Sequence, residues 1–292
     1  MAVVGVTTAA NFLNSVWSNE LNRAIEYDTV IASLFDDKSK EAAGGKGGYV
    51  FYLVDRHNLT AQTKAEGTDV TPEAITETAQ TFTPSTHQIV AQQIEDFAEV
   101  MTKYNLRAEF TGASSYALAR AQDVAAAAVL DDNTTQTVGD LGSELTDNDL
   151  LDSWTYLRNA AAKAPFKGVV APATWAGLLK VDKFVNSLYN GDSGGKAVHD
   201  SQIGKVYQAT FHVSQLTTGT APSSYGNMWA ADHYFKIIKK APTQDTWYSP
   251  FAKAWILATD QIFGMFERQE AIETAAATSR SRLWSVRLCA AK

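Results

Sequence analysis

Of 292 residues, 45% are hydrophobic and 20% charged, with 25 Lys+Arg against 32 Asp+Glu and a net charge of −7. This composition excludes a disordered chain, and a net-acidic chain lacks the clustered cations that grip nucleic-acid phosphates. The single cysteine, Cys289, excludes an intrachain disulfide and any cysteine-based zinc or iron–sulfur centre. The length suits one large domain or two closely packed ones. No positive side chain precedes Arg23, so no signal peptide is expected. The longest uncharged run, 206–231, is too polar to span a bilayer, so no membrane partner is expected. Without secretion, the sequons at Asn58 and Asn133 carry no weight.

The charge is unevenly spread. Residues 1–152 hold 23 acids and 9 bases, a net of −14, whereas 153–292 hold 9 acids and 16 bases, a net of +7. Seven acids and no base fall from Asp131 to Asp152. A solvated acidic loop leading into a helix start accounts for this run. The second reading is a pair of acidic and basic faces that complement each other between copies, setting register more than affinity.

In chain order, 11–34 places Phe12, Val16, Trp17, Leu21 and Ala24–Ile25 at helical spacing behind the capping residue Asn11. Gly44, Gly45, Gly47 and Gly48 then surround Lys46. They lack the Lys-Ser/Thr pair and following helix of a phosphate loop and read as a hinge before a strand. Residues 49–54 (YVFYLV) predict a buried strand, and 88–94 (QIVAQQI) a second. Between them, 55–86 carries nine threonines and only Leu59, Val70, Ile75 and Phe82 as large apolar groups. Such a stretch cannot build its own core and is too long for an ordinary loop. The alternation over 75–83 predicts a two-stranded arm. A lone hairpin is marginal in water, so the arm needs a surface to lie on, most simply a neighbouring subunit.

Residues 105–130 predict the longest helix, about 39 Å, with Leu106, Phe110, Ala113, Ala117, Ala121, Val124 and Ala128 as its inward stripe. Thr146 with Asp149 three residues on forms a short-armed capping box for a helix that buries Leu150, Trp154, Leu157 and Ala161 and stops before Pro165. A strand at 168–171 follows, then a helix opened by Pro172 and helical turns over 182–189 that end at Gly191. Over 207–214, Tyr207, Ala209, Phe211 and Val213 alternate with Gln208, Thr210, His212 and Ser214, the cleanest strand pattern in the chain. Strands are expected at 261–266 and 282–290, with 271–278 as the loop between them.

Candidates for chemistry are few. His57, His87, His199, His212 and His233 show no metal-ligand spacing, so no metal is expected. His199-Asp200-Ser201 contains triad residue types, but neighbours in sequence do not make a triad in space. No nucleophile elbow or dinucleotide fingerprint occurs, and the Glu95–Asp96 and Asp36–Asp37 pairs read as surface or helix-end carboxylates. Neither a catalytic residue nor a cofactor site is assigned.

The order of features is the informative signal. A helical arm, a glycine hinge, a strand, a Thr-rich hairpin, a strand, a long helix, an α/β insertion and terminal strands follow in succession. With the stretch GVVAPATWAGLLKVDKFVNSLYNGDSGGKAVHDSQIGKVYQATFHVSQL, this order resembles the major capsid protein of tailed double-stranded DNA bacteriophages, the α+β Hong Kong 97-type fold. The resemblance implies an N-terminal arm at 1–47 and an extended β-hairpin loop at 48–94. It implies a peripheral domain with a long spine helix at 95–135 and 228–292, and an α/β axial domain at 136–227. It further implies a non-enzymatic shell protein that assembles with itself into pentamers and hexamers in the host cytoplasm and resides in the virion. Scaffolding, portal and decoration proteins are candidate partners, and packaged DNA would be met only non-specifically. Arg56, Lys64, Glu66, Ile75 and Phe82 of the loop, with Phe12 and Trp17 of the arm, are the expected inter-subunit contacts. The first alternative is an encapsulin-type compartment of the same fold. The remote one is an α/β enzyme with a lid at 55–86.

Overall fold

The computed structural model describes residues 26–42, 50–55, 61–70, 72, 78–96, 105–132, 136–185, 205–217, 219, 223–274, 277–281 and 284–291. Of the segment 11–34 read as helical, 11–25 lies outside these residues, 26–30 is not helical and 31–34 forms one short helix; the glycine hinge at 44–48 and the helical turns beyond 185 also lie outside them. The described elements form an α+β chain around two main sheets.

The first sheet has four strands. In it, β1 (Asp36–Asp37) pairs parallel with β10 (Tyr234–Ser249), which turns back antiparallel into β11 (Ala254–Glu267), which pairs with β4 (Thr86–Glu95). The strand β10 is absent from the sequence reading because KKAPTQD looks like a loop. The pairing tolerates Pro242 because the register slips between Ile238 and Thr243, where a residue without an N–H costs no ladder bond. One face of this sheet carries the long helix α3 (Leu106–Asp131), opened by Asn105, whose side chain accepts the Ala108 N–H at 3.2 Å.

The helix stands where the sequence predicts it, but it turns a different face inward. Its buried residues are Ser114, Leu118, Asp123, Ala126, Ala127 and Leu130, whereas Val124 of the expected stripe is 49% exposed. With alanine on every side, apolar contrast around the helix is slight, and polar pairing sets the rotation. Gln261 of β11 is fully buried. It accepts from Gln122 of α3 at 2.7 Å and donates to Gln88 of β4 at 3.1 Å and to the Leu118 carbonyl at 3.0 Å. A buried amide must be satisfied in this way or cost about 1–3 kcal/mol, so Gln122 has to face the sheet.

The second sheet has six strands, in the order β5 (Thr137–Val138), β14 (Ser285–Ala291), β9 (Ser223–Ala230), β6 (Phe166–Val170), β8 (Ala209–Val213) and β7 (Lys205–Val206). Three helices cover one face: α4 (Asp147–Asn159), α5 (Pro172–Leu178) and α6 (Asp182–Val185). They bury Leu150, Leu157, Leu178 and Phe184 against Phe166, Val170, Met228, Val286 and Leu288. The other face, through Val169 and Trp229, meets the end of α3 and the short helix α1 (Ile31–Leu34), and a second short helix, α2 (Ser39–Ala42), follows β1. The capping box at Thr146 is present in both directions, and Pro172 opens α5 at its first turn.

Three further differences from the sequence reading have local causes. Tyr207 and Gln208, read as the start of a strand, take φ of 48° and 64° and form the two-residue turn between β7 and β8. Residues 271–278, read as a loop, belong mostly to a hairpin of β12 (Glu270–Thr274) and β13 (Ala277–Ser281). Hydrogen bonding also divides 228–292: 234–267 lies in the four-stranded sheet, whereas β14 pairs with β9 in the other. Val286, Leu288, Cys289 and Ala290 are all buried, and a strand buried on both faces needs a sheet covered on both faces.

Candidate interaction surfaces

The polar candidates of the sequence are engaged in holding the chain together. His233 is fully buried and 3.1 Å from the Glu267 carboxylate, which also accepts from the Tyr234 hydroxyl at 3.3 Å. Burial, and then the charge of Lys167, lower the pKa of His212. Asp36 accepts from Lys167 at 3.1 Å and from the Asp232 N–H at 2.9 Å, and Asp37 receives the Ser39 N–H at 2.9 Å. Asp96 accepts from the Tyr248 hydroxyl at 2.7 Å. Burial pushes the buried Cys289 thiol up, away from the reactive thiolate. Among the described residues, no three His, Cys, Asp or Glu side chains gather as a metal site. His57 and the His199-Asp200-Ser201 run lie outside them.

The Tyr207 turn is held by a similar contact. Its hydroxyl donates to Asp147 at 2.5 Å, and Lys183 reaches the same carboxylate at 2.6 Å. Burial and then Asp147 push the Tyr207 hydroxyl up to about 12. Burial raises Asp147, but the hydrogen bonds from Lys183 and Tyr207 outweigh it and hold the carboxyl below its usual value.

The surface features are of a different kind. Among the described residues, the strands β2 (Phe51–Asp55) and β3 (Thr78–Phe82) pair only with each other, in a register from Phe51↔Phe82 to Asp55↔Thr78. Their root is fastened to the four-stranded sheet. Phe82 packs edge-on to Phe235 at 4.9 Å between ring centres and lies 5.4 Å from Phe266, while Phe51 lies 5.6 Å from Phe235. Gln80, almost fully buried, both donates to the Gln269 carbonyl and accepts the Gln269 N–H. Away from the root the arm is bare: Tyr52 is 63% exposed and Val54 58%. The strand read as buried is therefore half exposed, because a two-stranded ribbon has no second layer to cover its outer face.

A second exposed apolar feature is the end of the β10–β11 hairpin. Phe251 is wholly exposed, and Trp247 and Tyr248 are partly so. The hairpin below this tip is braced: Tyr248 packs at a tilt against Trp255 with 5.2 Å between ring centres, and the Arg107 guanidinium lies 4.5 Å above the Trp255 ring. A rigid stem thus presents an exposed aromatic side chain that none of the described residues covers.

Of the contact residues expected from the sequence, Lys64 and Glu66 are exposed, and Phe82 packs inside its own chain at the root of the arm. Phe12, Trp17, Arg56 and Ile75 lie outside the described residues. Sequence reasoning missed Tyr52, Val54 and Phe251. The signal for Phe251 was present in the SPFAK turn, where a large apolar residue occupies a position usually given to polar ones.

No protein-family model and no curated protein sequence matches the chain. Solved structures do. A structure from Mycobacterium phage Che8 matches with a TM-score of 0.76 at 17% identity, over 95% of this chain and 97% of that one. The head structure of Helicobacter pylori bacteriophage KHP40 matches with a TM-score of 0.75 at 10% identity, over 99% and 98%. The capsid of cyanophage P-SCSP1u matches with a TM-score of 0.72 at 14% identity, over 98% and 94%. The chain has the tailed-phage capsid fold that its order of elements resembles.

Proposed function

We propose that this chain is the major capsid protein of a tailed double-stranded DNA bacteriophage, assembling with itself into the icosahedral head shell around the genome. The observation that carries the reading is the match in fold over nearly the full length of both chains. It leaves no large part over for a separate activity, and it supports a structural rather than a catalytic role. The likenesses described above include a cyanophage capsid and a bacteriophage head, which supports a genome shell over an enzyme-filled compartment.

In this reading the two bare surfaces are the joints. The β2–β3 arm with Tyr52 and Val54 lies across one neighbour, and the Phe251 tip meets another. Fully burying one such side chain is worth about 1.5–3 kcal/mol. One joint is weak, but each subunit makes several, and head-to-tail contacts that close by rotation give rings and then shells. The residues 48–94 are the extended loop, 95–135 and 228–292 the peripheral domain with α3 as its spine, and 136–227 the axial domain, with β14 reaching across to complete the axial sheet. Lys64 and Glu66 belong to the arm contact, as do Arg56 and Ile75, and Phe12 and Trp17 to the N-terminal arm. The net charge of −7 keeps packaged DNA from adhering to the subunits. Portal, scaffolding and decoration proteins are the further partners of such a shell, which forms in the host cytoplasm and persists in the virion.

The test is size-exclusion chromatography with light scattering on the purified chain, followed by negative-stain electron microscopy of the heaviest species. Shells, or pentamers and hexamers of a 31.7 kDa subunit, are expected. A monomer or dimer that persists with crowding agent, salt and a co-expressed scaffolding partner overturns the reading.

A further inference from the structure

The helix α1 has only four residues, Ile31–Leu34. A helix shorter than about 12–15 residues is marginal in water, because fixing its first turn costs more than its hydrogen bonds return. In α1, several of the backbone groups that a single turn leaves open are taken by charged side chains from three other elements. The Asp123 carboxylate of α3 accepts the N–H groups of Val30, Ile31 and Ala32. At the other end, Lys236 of β10 donates to the Ala32 carbonyl at 2.9 Å, and Lys167 of β6 donates to the Leu34 carbonyl at 2.7 Å. An acid at the first amides and cations at the last carbonyls match the direction of the helix dipole.

The two lysines come from different sheets, Lys236 from the four-stranded one and Lys167 from the six-stranded one. Lys167 also reaches Asp36 of β1 at 3.1 Å, and the other oxygen of Asp36 accepts the Asp232 N–H at 2.9 Å, in the link between β9 and β10. The apolar side of the turn repeats this arrangement. Ile31 is fully buried in one cluster with Val169 and Trp229 of the six-stranded sheet and Tyr234, Phe263 and Met265 of the four-stranded sheet. Phe35, just past the helix, stacks on Tyr234 with 5.2 Å between ring centres and meets Trp229 edge-on at 6.4 Å. We infer that α1 is a latch between the two sheets: its single turn is helical only while α3 and both sheets hold it, and while formed it fixes one sheet against the other. Freeing either lysine removes a clamp from a turn too short to stand alone, so the turn opens as a unit. The link at 231–233 then loses its tie through Asp36.

The latch belongs to the folded subunit, so its test does not depend on assembly. Hydrogen exchange on the full chain, read by mass spectrometry, should show the amides of 31–34 protected to within about tenfold of those of β10. The variant K167M removes the charge at similar side-chain length. It should speed exchange at both 31–34 and 231–233 by about tenfold or more and leave the amides of β10 and β11 unchanged. K236M should do the same from the other sheet. Three results overturn the inference: unprotected amides at 31–34 in the parent, unchanged rates there in either variant, or faster exchange at 31–34 with 231–233 unaffected. Should the variants fail to fold, exchange of the parent in dilute urea decides. The two segments must then open with one common dependence on urea, and different dependences overturn the latch.

Discussion

The carboxylate of Asp123, in the second half of the longest described helix, accepts the backbone N–H of Ala32 at 2.7 Å, across 91 residues of chain. The same side chain accepts the N–H groups of Val30 at 2.8 Å and Ile31 at 3.2 Å. One buried acid on α3 thus caps the first turn of α1, whose own N-cap residue, Val30, has no side chain able to do so. Asp123 is only 1% exposed. Its charge is balanced by three oriented amides.

The D123A variant removes the acceptor from three buried donors at once. We expect a loss of about 2–4 kcal/mol, read as a lower denaturation midpoint at unchanged slope. D123N keeps one acceptor oxygen and should lose about half as much. Equal stability of all three proteins would show that the cap is not needed.

Asp55 and Thr78 are directly paired, so replacing 56–77 by Asn-Gly closes the hairpin with a type I′ turn while keeping Gln80 and Phe82 in place. A deletion extending through Phe82 would instead remove Gln80 and open the Phe51–Phe82–Phe235–Phe266 cluster. The shortened chain should melt like the parent and form no shells by electron microscopy. Shell formation at the parent's yield would refute the role given to the arm.

Phe251 separates assembly from folding. It is wholly exposed, so F251S should leave the melting temperature of the subunit within about 1 °C, since surface changes stay within about 0.5 kcal/mol. Assembly yield, measured by light scattering, should fall at least tenfold. A tenfold change corresponds to about 1.4 kcal/mol, less than the burial of a phenyl ring supplies.

Two carboxylates make opposite contributions to the pH dependence of stability. Hydrogen bonds from Lys240 and His87, with a further one from Thr243, hold Asp260 at about 2, below its ordinary 3.8. Its contribution is complete above pH 3.8 and disappears as pH falls through about 2. D260N should therefore flatten the acid limb of a urea-midpoint profile between those values. If its profile parallels the parent's down to pH 2, the pairing contributes nothing.

Asp232 has the opposite sign. The hydrogen bond with Asp36 raises its pKa, burial and the Asp36 charge add to this, and Lys38 and Lys167 only partly oppose them. Ionising Asp232 thus costs the folded state, and the cost sets in as pH rises from 3.8 towards the raised folded value and persists above it. D232N should be more stable than the parent at pH 7, by about 0.5 kcal/mol after screening by solvent, and no more stable at pH 3. Asparagine also tolerates the φ of 63° at this position. A loss of stability at pH 7 would contradict the sign.

What the sequence determined by itself was whatever neighbours along the chain decide. The Thr146–Asp149 box, Pro172 at a helix start and the span of α3 depend on contacts within one turn, so residue types at fixed spacing reveal them. The order of elements was legible for the same reason, and with it the fold and the bare arm. Tertiary structure decided the rest. Which side of an alanine-rich helix faces inward followed from Gln122 meeting Gln261, 139 residues away. The strand β14 joined the six-stranded sheet because its two buried faces required covering from both sides. Tyr207 and Gln208 became a turn although alternation favoured a strand, since the hydroxyl found Asp147, 60 residues away. Phe251 became a surface feature because the hairpin beneath it was longer than its Lys- and Pro-bearing sequence implied. Each depends on a partner distant in the chain, and a pattern read along one strand or helix carries no information about where that partner will lie.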